Sequence, residues 1–146
     1  MSIRKINGQS GFTLLELLIV IVIIGILALL IIPNITSAPK KARDTQRKTD
    51  LKGIQKALEE YFVSNNVYPS AATWTTDLTG GNPPILKTIP TDPKNANEYV
   101  YVYTPANTNS TYTLTACLEN GNDTGTGTTS AVAPCTTRTF LLLNNN

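Results

Sequence analysis

The sequence of 146 residues predicts an α+β fold. We expect a long N-terminal helix, the first half of it transmembrane, packed on a small antiparallel sheet of about three to four strands. Three observations support this prediction. Residues 12–32 are almost all apolar, residues 40–65 carry a helical apolar stripe, and the segments after residue 98 alternate between apolar and polar side chains.

The apolar run is long enough to cross a membrane as a helix. At about 1.5 Å per residue, a helix from Phe12 to Ile32 is about 31 Å long, close to the hydrocarbon thickness of a bilayer. We therefore expect a transmembrane helix over residues 12–33. Glu16 is the one charged residue inside this run.

Two prolines follow the apolar run. Pro33 and Pro39 lack the backbone N–H that a helix interior requires, so the sequence predicts a helix break at both residues and local loosening between them. The alternative is that the membrane helix simply ends at Ile32. The remaining chain, residues 34–146, is long enough for one small soluble head.

The flanking charges and the cysteines disagree about which side of the membrane holds the head. Only Arg4 and Lys5 precede the apolar run, and many more basic residues follow it, so the positive-inside rule would leave the head in the cytoplasm. The cysteine pair and the polar C-terminal third are typical of an exported surface, and we expect a single-pass protein with its head outside. A cleaved secretory signal over residues 1–38 is disfavoured by the length of the apolar run and by Pro39.

The head begins with an amphipathic helix over about residues 40–65. Its apolar stripe recurs at helical spacing, and its members are Leu51, Ile54, Leu58, Tyr61 and Phe62. Residues 66–97 are rich in Gly and Pro and predict a loop. Strands are predicted at residues 99–103, 112–118 and 137–143, within a C-terminal region that spans residues 98–146.

The composition argues against an enzyme and against a nucleic-acid-binding protein. The chain has no His, and no nucleophile–base pair or metal cluster appears in it. A net charge of +2 predicts no specific binding to nucleic acid. Two cysteines cannot form a structural zinc site alone, so we expect a disulfide between Cys117 and Cys135, with two reduced buried thiols as the alternative.

A short basic leader ends in Gly11 and is followed by Phe12-Thr13-Leu14-Leu15-Glu16-Leu17. This stretch resembles the processing motif of type IV pilins and of the related type II secretion pseudopilins. In that superfamily a prepilin peptidase cuts after the glycine and methylates the new N-terminal residue. The resemblance implies that residues 1–11 are a removed leader and that Phe12 becomes N-methylated. Residues 42–69 and 89–101 also resemble segments of major pseudopilins.

The resemblance also suggests a role for Glu16. Cleavage would leave a positive N-terminus on Phe12, and in a helical filament of identical subunits Glu16 can meet the Phe12 amine of a neighbour. In a low-dielectric bundle this pairing would favour one axial register over others. The alternative is a carboxylate that is modestly favoured by the dipole at the start of its own helix.

Three functions remain open at this stage. The first is a structural subunit of a type IV pilus-like filament, and the second is the major pseudopilin of a type II secretion system. Both imply a prepilin peptidase, an inner-membrane assembly platform and identical subunits as partners, with the chain in the inner membrane before it enters an extracellular pilus or a periplasmic pseudopilus. The third is a monomeric membrane-anchored binding module that uses Tyr99, Tyr101 and Tyr103 as a ligand face.

Some major pseudopilins bind Ca²⁺ in a loop near the segment ENGNDTGTG, residues 119–127. Here Glu119, Asn122 and Asp123 offer oxygen ligands, but the EF-hand spacing is absent and the segment holds only two carboxylates. We expect a flexible turn and no cofactor, with a calcium site as the weaker alternative.

Overall fold

A computed structural model describes residues 11–106 and 108–144, and within these ranges the side chains of residues 30–36 are left out. The predicted leader therefore lies almost entirely outside the described residues. The chain divides into two compact units between Ser37 and Ala38. The helices are α1 (Leu14–Asn65) and α2 (Trp74–Thr79), and the strands are β1 (Val102–Pro105), β2 (Tyr112–Leu118), β3 (Thr128–Ser130) and β4 (Arg138–Asn144).

Helix α1 continues through both prolines. The sequence predicted one long helix with a break at these two residues, and a membrane helix that ends at Ile32 was the alternative. The structure has a single helix from Leu14 to Asn65 that does not end at Ile32. A proline removes one donor from the helical ladder while its fixed φ remains compatible with helix, so a long helix can include one. A kink or loosening at Pro33 and Pro39 stays a prediction.

No described helix stretch combines the length and the apolar character that crossing a membrane requires. The predicted span over residues 12–33 extends into residues 30–36, whose side chains lie outside the described part of the chain.

The four strands form one antiparallel sheet in the order β1-β2-β4-β3, which confirms the predicted fold class. In its centre Leu114 lies opposite Leu142, and Ala116 lies opposite Phe140. The first strand starts later than predicted, at Val102, because residues 96–99 instead form a tight turn closed by a bridge between Ala96 and Tyr99. Pro105 is accommodated because β1 is an edge strand.

Two short elements lie in regions predicted to be irregular. Helix α2 lies in the predicted loop 66–97 and buries Leu78. Strand β3 directly follows the predicted flexible turn of residues 119–127, where no strand was predicted, and pairs with β4. Both are too short to show a periodic pattern that sequence reasoning could detect.

The apolar stripe of α1 packs on the sheet. Leu51, Ile54 and Leu58 are completely buried and form one cluster with residues of the sheet, among them Leu114 and Phe140. Tyr61 and Phe62, at the end of the predicted stripe, are only partly buried against this cluster. The predicted contact between the helix and the sheet is confirmed over residues 51–58.

Candidate functional site

The start of α1 contains a reciprocal set of hydrogen bonds. The backbone N–H of Thr13 donates to Glu16 Oε2 at 2.9 Å, and the Thr13 hydroxyl donates to the same oxygen at 2.8 Å. The backbone N–H of Glu16 donates in return to Thr13 Oγ1 at 3.2 Å. This arrangement is a capping box, which satisfies donors that the first turn of a helix leaves without partners.

The capping box gives Glu16 a role in its own helix, close to the alternative that sequence analysis left open. The signal was readable in the sequence, since Thr-x-x-Glu before an apolar run is the signature of this motif. The predicted cleavage between Gly11 and Phe12 lies outside the box and leaves the Thr13 amide intact. Gly11 and Phe12 are exposed and non-helical, as access by a peptidase requires.

The first described turns of α1 expose their apolar side chains. Every large apolar side chain from Phe12 to Leu29 is at least 48% exposed, and Phe12 reaches 91%. Gly25 has no atom within 4 Å of the position that a Cβ would occupy. A continuous apolar surface of this kind is favourable only when lipid or other protein covers it.

The head contains the opposite arrangement, a group of charged side chains that pair with one another around a buried arginine. We call it the ionic cluster, and its members are Arg43, Asp44, Arg47, Asp92, Lys94 and Glu119. Arg47, from α1, is completely buried at its centre and binds both oxygens of Asp92, with Nε–Oδ2 at 2.6 Å and Nη2–Oδ1 at 2.9 Å. Its Nη1 donates to Asp44 and to Glu119, both at 2.8 Å.

Asp44 and Glu119 connect the ionic cluster to the end of β2. Asp44 accepts hydrogen bonds from the backbone N–H groups of Glu119 and Asn120. Glu119 receives a two-pronged contact from Arg43, at 2.6 and 2.7 Å, and its bonds with Arg43 and then Arg47 outweigh burial and hold its pKa far below its usual range. Burial alone would raise the pKa of Asp92, but the bonds from Arg47 and from the Lys94 N–H lower it overall.

Two models of known protein families match this chain, one over its N-terminal segment and one mainly over the head. A family model described as a prokaryotic N-terminal methylation motif matches residues 6–32. A second model, described as type II secretion system protein G, matches residues 34–134. The second match alone covers more than half of the chain. The chain belongs to the type II secretion system protein G family.

Similar proteins include several named type II secretion system core protein G. The protein of Pseudomonas aeruginosa is 42% identical over 96 residues, which cover 58% of this chain and 68% of the relative. The Vibrio cholerae protein is 39% identical, with 64% of this chain and 59% of the relative covered. The Escherichia coli K12 protein is 35% identical, with 66% and 74% covered. No solved structure matches the chain.

These matches confirm the resemblance to the pilin and pseudopilin superfamily. They favour the secretion alternative over the pilus subunit, because the relatives are named for the secretion system. The name of a secretion-system core protein also agrees with the prediction that the chain is not an enzyme.

The disulfide of this protein G family member closes a surface loop. Cys117 and Cys135 are both buried and form the predicted bond. We call the residues between them, 118–134, the disulfide loop. It includes one member of the ionic cluster, Glu119, and the whole of β3.

The three residues considered as calcium ligands make hydrogen bonds or ion pairs with other residues of the head. Glu119 lies in the ionic cluster, whereas Asp123 contacts Lys48 Nζ with both oxygens at 2.7 Å. Asn122 is exposed, and its backbone N–H donates to Asn120 Oδ1 at 3.2 Å. Among the described residues no group of three or more His, Cys, Asp or Glu could hold a metal ion. The absence of a cofactor from this loop stays a prediction.

The three tyrosines of the proposed ligand face have internal partners. Tyr101 donates its hydroxyl hydrogen to Asp50 at 2.7 Å, and Tyr103 donates to the backbone oxygen of Pro69 at 2.8 Å. The ring of Tyr99 lies 4.6 Å from the guanidinium carbon of Arg47. These contacts connect β1 and the turn before it to α1 and to the loop that follows α1. Such contacts are expected of half-buried positions in a sheet.

Proposed function

We propose that the chain is the major pseudopilin of a type II secretion system. In this role it is inserted in the cytoplasmic membrane through residues 12–33 with its head outside. A prepilin peptidase cleaves it after Gly11 and methylates Phe12. An inner-membrane platform then assembles identical subunits, through α1, into a short periplasmic filament. The observation that carries this proposal is the methylation motif over residues 6–32, followed at once by the protein G match over residues 34–134.

The exposed apolar surface of α1 supports assembly through this helix. Each side of the segment from Phe12 to Leu29 presents large apolar side chains, so lipid and neighbouring helices can cover it equally well. A subunit with such a surface can leave the bilayer for a helical bundle without exposing apolar area to water.

The capping box supports a defined position for the Glu16 carboxylate. Thr13 holds Oε2 of this carboxylate. We infer that Oε1 pairs with the positive N-terminus of an adjacent subunit while the cap of its own helix stays intact. In a low-dielectric bundle an unmatched charge is costly, so this pairing favours one subunit register.

The test is to remove the charge of Glu16 and keep the cap. Gln also serves at this position of a capping box, so Glu16→Gln retains the box and loses the pairing with an ammonium. We expect both Glu16→Gln and Glu16→Ala to insert and to be cleaved normally, with filament formation reduced at least about tenfold, since one desolvated charge pair is worth more than 1.4 kcal/mol. Mass spectrometry of the N-terminus measures cleavage and methylation, and electron microscopy with crosslinking measures assembly.

Three outcomes would contradict the proposal. Normal filament assembly by both Glu16 variants would remove the role of the charge. A mature wild-type protein that begins at Met1 and never polymerises would favour the membrane-anchored binding module. Long fibres released from the cell surface would favour the pilus subunit over the secretion pseudopilin.

A further inference from the structure

The side chain of Lys48 reaches from α1 into the disulfide loop. Its Nζ lies 2.7 Å from each oxygen of Asp123, and the exposed fractions of the two side chains are only 22% and 17%. Nζ also lies 5.6 Å from the ring centre of Phe140, on β4. The ammonium is thus enclosed by a carboxylate, an aromatic ring and the loop backbone.

The loop is folded around the Asp123 carboxylate that binds this ammonium. Asp123 Oδ1 also accepts hydrogen bonds from the backbone N–H of Gly125 at 2.9 Å and from the hydroxyl of Thr128 at 3.0 Å. A Cβ on Gly125 would lie 3.1 Å from Lys48 Nζ and 3.2 Å from Asp123 Oδ1. Such contacts are tighter than most real Cβ contacts, so a side chain at this position would require the ion pair to shift by a few tenths of an ångström.

The positive charges that already contact the two carboxylates of this segment disfavour the binding of a second cation. Each oxygen of Asp123 already faces a positive charge at hydrogen-bond distance, and a calcium ion bound at the same carboxylate would be repelled by the ammonium. The other carboxylate of the segment, Glu119, is held by Arg43, Arg47 and Lys94. The segment therefore cannot gather the oxygen ligands that Ca²⁺ needs.

We propose that the ammonium of Lys48 is the resident cation of the disulfide loop and that it orders residues 119–128 without any divalent metal. The loop then keeps its conformation when divalent cations are removed. This inference concerns the folding of the head and does not rest on the filament role.

The test compares two lysines of α1 in the full-length protein in detergent. Lys48→Met removes the ammonium and keeps most of the apolar stem, which isolates the charge. Lys52→Met is the matched control, because Lys52 lies one turn further along α1, is exposed and makes no ion pair with a described residue. Asp123→Asn is a second variant that keeps an acceptor for Gly125 and Thr128 while it removes the negative charge.

Hydrogen exchange and calcium titration give the readouts. We expect amide exchange in residues 119–128 to become about tenfold faster in Lys48→Met and in Asp123→Asn, and to stay unchanged in Lys52→Met. Calcium chloride up to about 10 mM, above the range of weak extracellular calcium sites, should give no saturable heat with the wild type, and a chelator should not change its exchange.

Two results would overturn the proposal. One is saturable calcium binding by the wild type that slows exchange in residues 119–128. The other is wild-type exchange in both Lys48→Met and Asp123→Asn, since the loop would then be ordered without this ion pair. Mass spectrometry verifies the disulfide in every sample, so that a reduced loop is not mistaken for either result.

Discussion

Residues 11–29 and the head, which begins at Ala38, distribute apolar and charged side chains in opposite ways. In the first segment all large apolar side chains are at least 48% exposed, and its one carboxylate caps the helix. In the head, Arg47 and Asp92 are buried and paired at the side of an apolar core. The head satisfies its buried polar groups internally, whereas the first segment needs a surrounding that the described residues do not supply.

The difference indicates where a substitution acts. A change in the head alters the folding of the subunit, and a change in the first segment alters what the subunit joins.

Removing Arg47 should have the largest effect on the head. Arg47→Met leaves Asp92, Asp44 and Glu119 without their central cation in a buried setting, and loss of one partner from a buried ion pair destabilises by about 3–5 kcal/mol. Urea unfolding can be followed by the fluorescence of Trp74, the only tryptophan, which packs 5.4 Å from Tyr103 in the head. Lys52→Met is the exposed control. A loss below about 1 kcal/mol would mean that the ionic cluster does not hold the head together.

The ionic cluster should also make the head sensitive to acid. The folded pKa values of Glu119 and Asp92 lie below their unfolded values of about 4.3 and 3.9. Their stabilisation is therefore complete above about pH 5, and it is lost as the pH falls toward the folded values because the unfolded chain then binds more protons. Each carboxylate contributes a slope of up to about 1.4 kcal/mol per pH unit in that range.

Stability measured by urea between pH 3 and 8 checks this sign. We expect a plateau above about pH 5, since the chain has no His, and a steep fall below about pH 4. In Arg47→Met the free energy of unfolding should fall less steeply below about pH 4. An equally steep fall in that variant would mean that other carboxylates cause the pH dependence.

A smaller effect is expected at Gly127, where the disulfide loop meets the sheet. Its φ is +82°, and a Cβ there would lie 2.7 Å from Phe140 Cε2. Gly127→Ala is therefore expected to destabilise the head by about 1–3 kcal/mol through backbone strain and crowding. Gly53→Ala, on the exposed face of α1 with nothing within 4 Å, is the matched control and should be neutral or slightly stabilising. Equal stability of the two variants would contradict the strained turn.

The sequence predicted the parts of the head that follow a periodic pattern. The spacing of Leu51, Ile54 and Leu58 identified the buried face of α1 because a helix repeats every 3.6 residues. The alternation in residues 112–118 identified β2 for the corresponding reason. The processing motif at Gly11 and Phe12 was detectable because it is a local string of residues.

The ionic cluster could not be predicted in the same way. Arg47 meets Asp92 across 45 positions and Glu119 across 72, and no local pattern distinguishes a buried arginine from a solvated one. The Lys48–Asp123 pair spans 75 positions and was missed for the same reason. Long-range charge pairing depends on the fold, so the partners of Glu119 and Asp123 could not be identified from the sequence.

The smallest effect is expected at Thr13, and it tests whether the first segment is ordered before assembly. Thr13→Val keeps the shape of the side chain but removes two of the three hydrogen bonds of the capping box. We expect a loss of about 1 kcal/mol at the helix start, measured as about fivefold faster amide exchange at residues 14–17 in detergent. Head stability should be unchanged, because the substitution lies in the other unit. If exchange at the helix start equals that of the wild type, the lipid surrounding rather than the cap orders this end, and Glu16 is then positioned only when subunits meet.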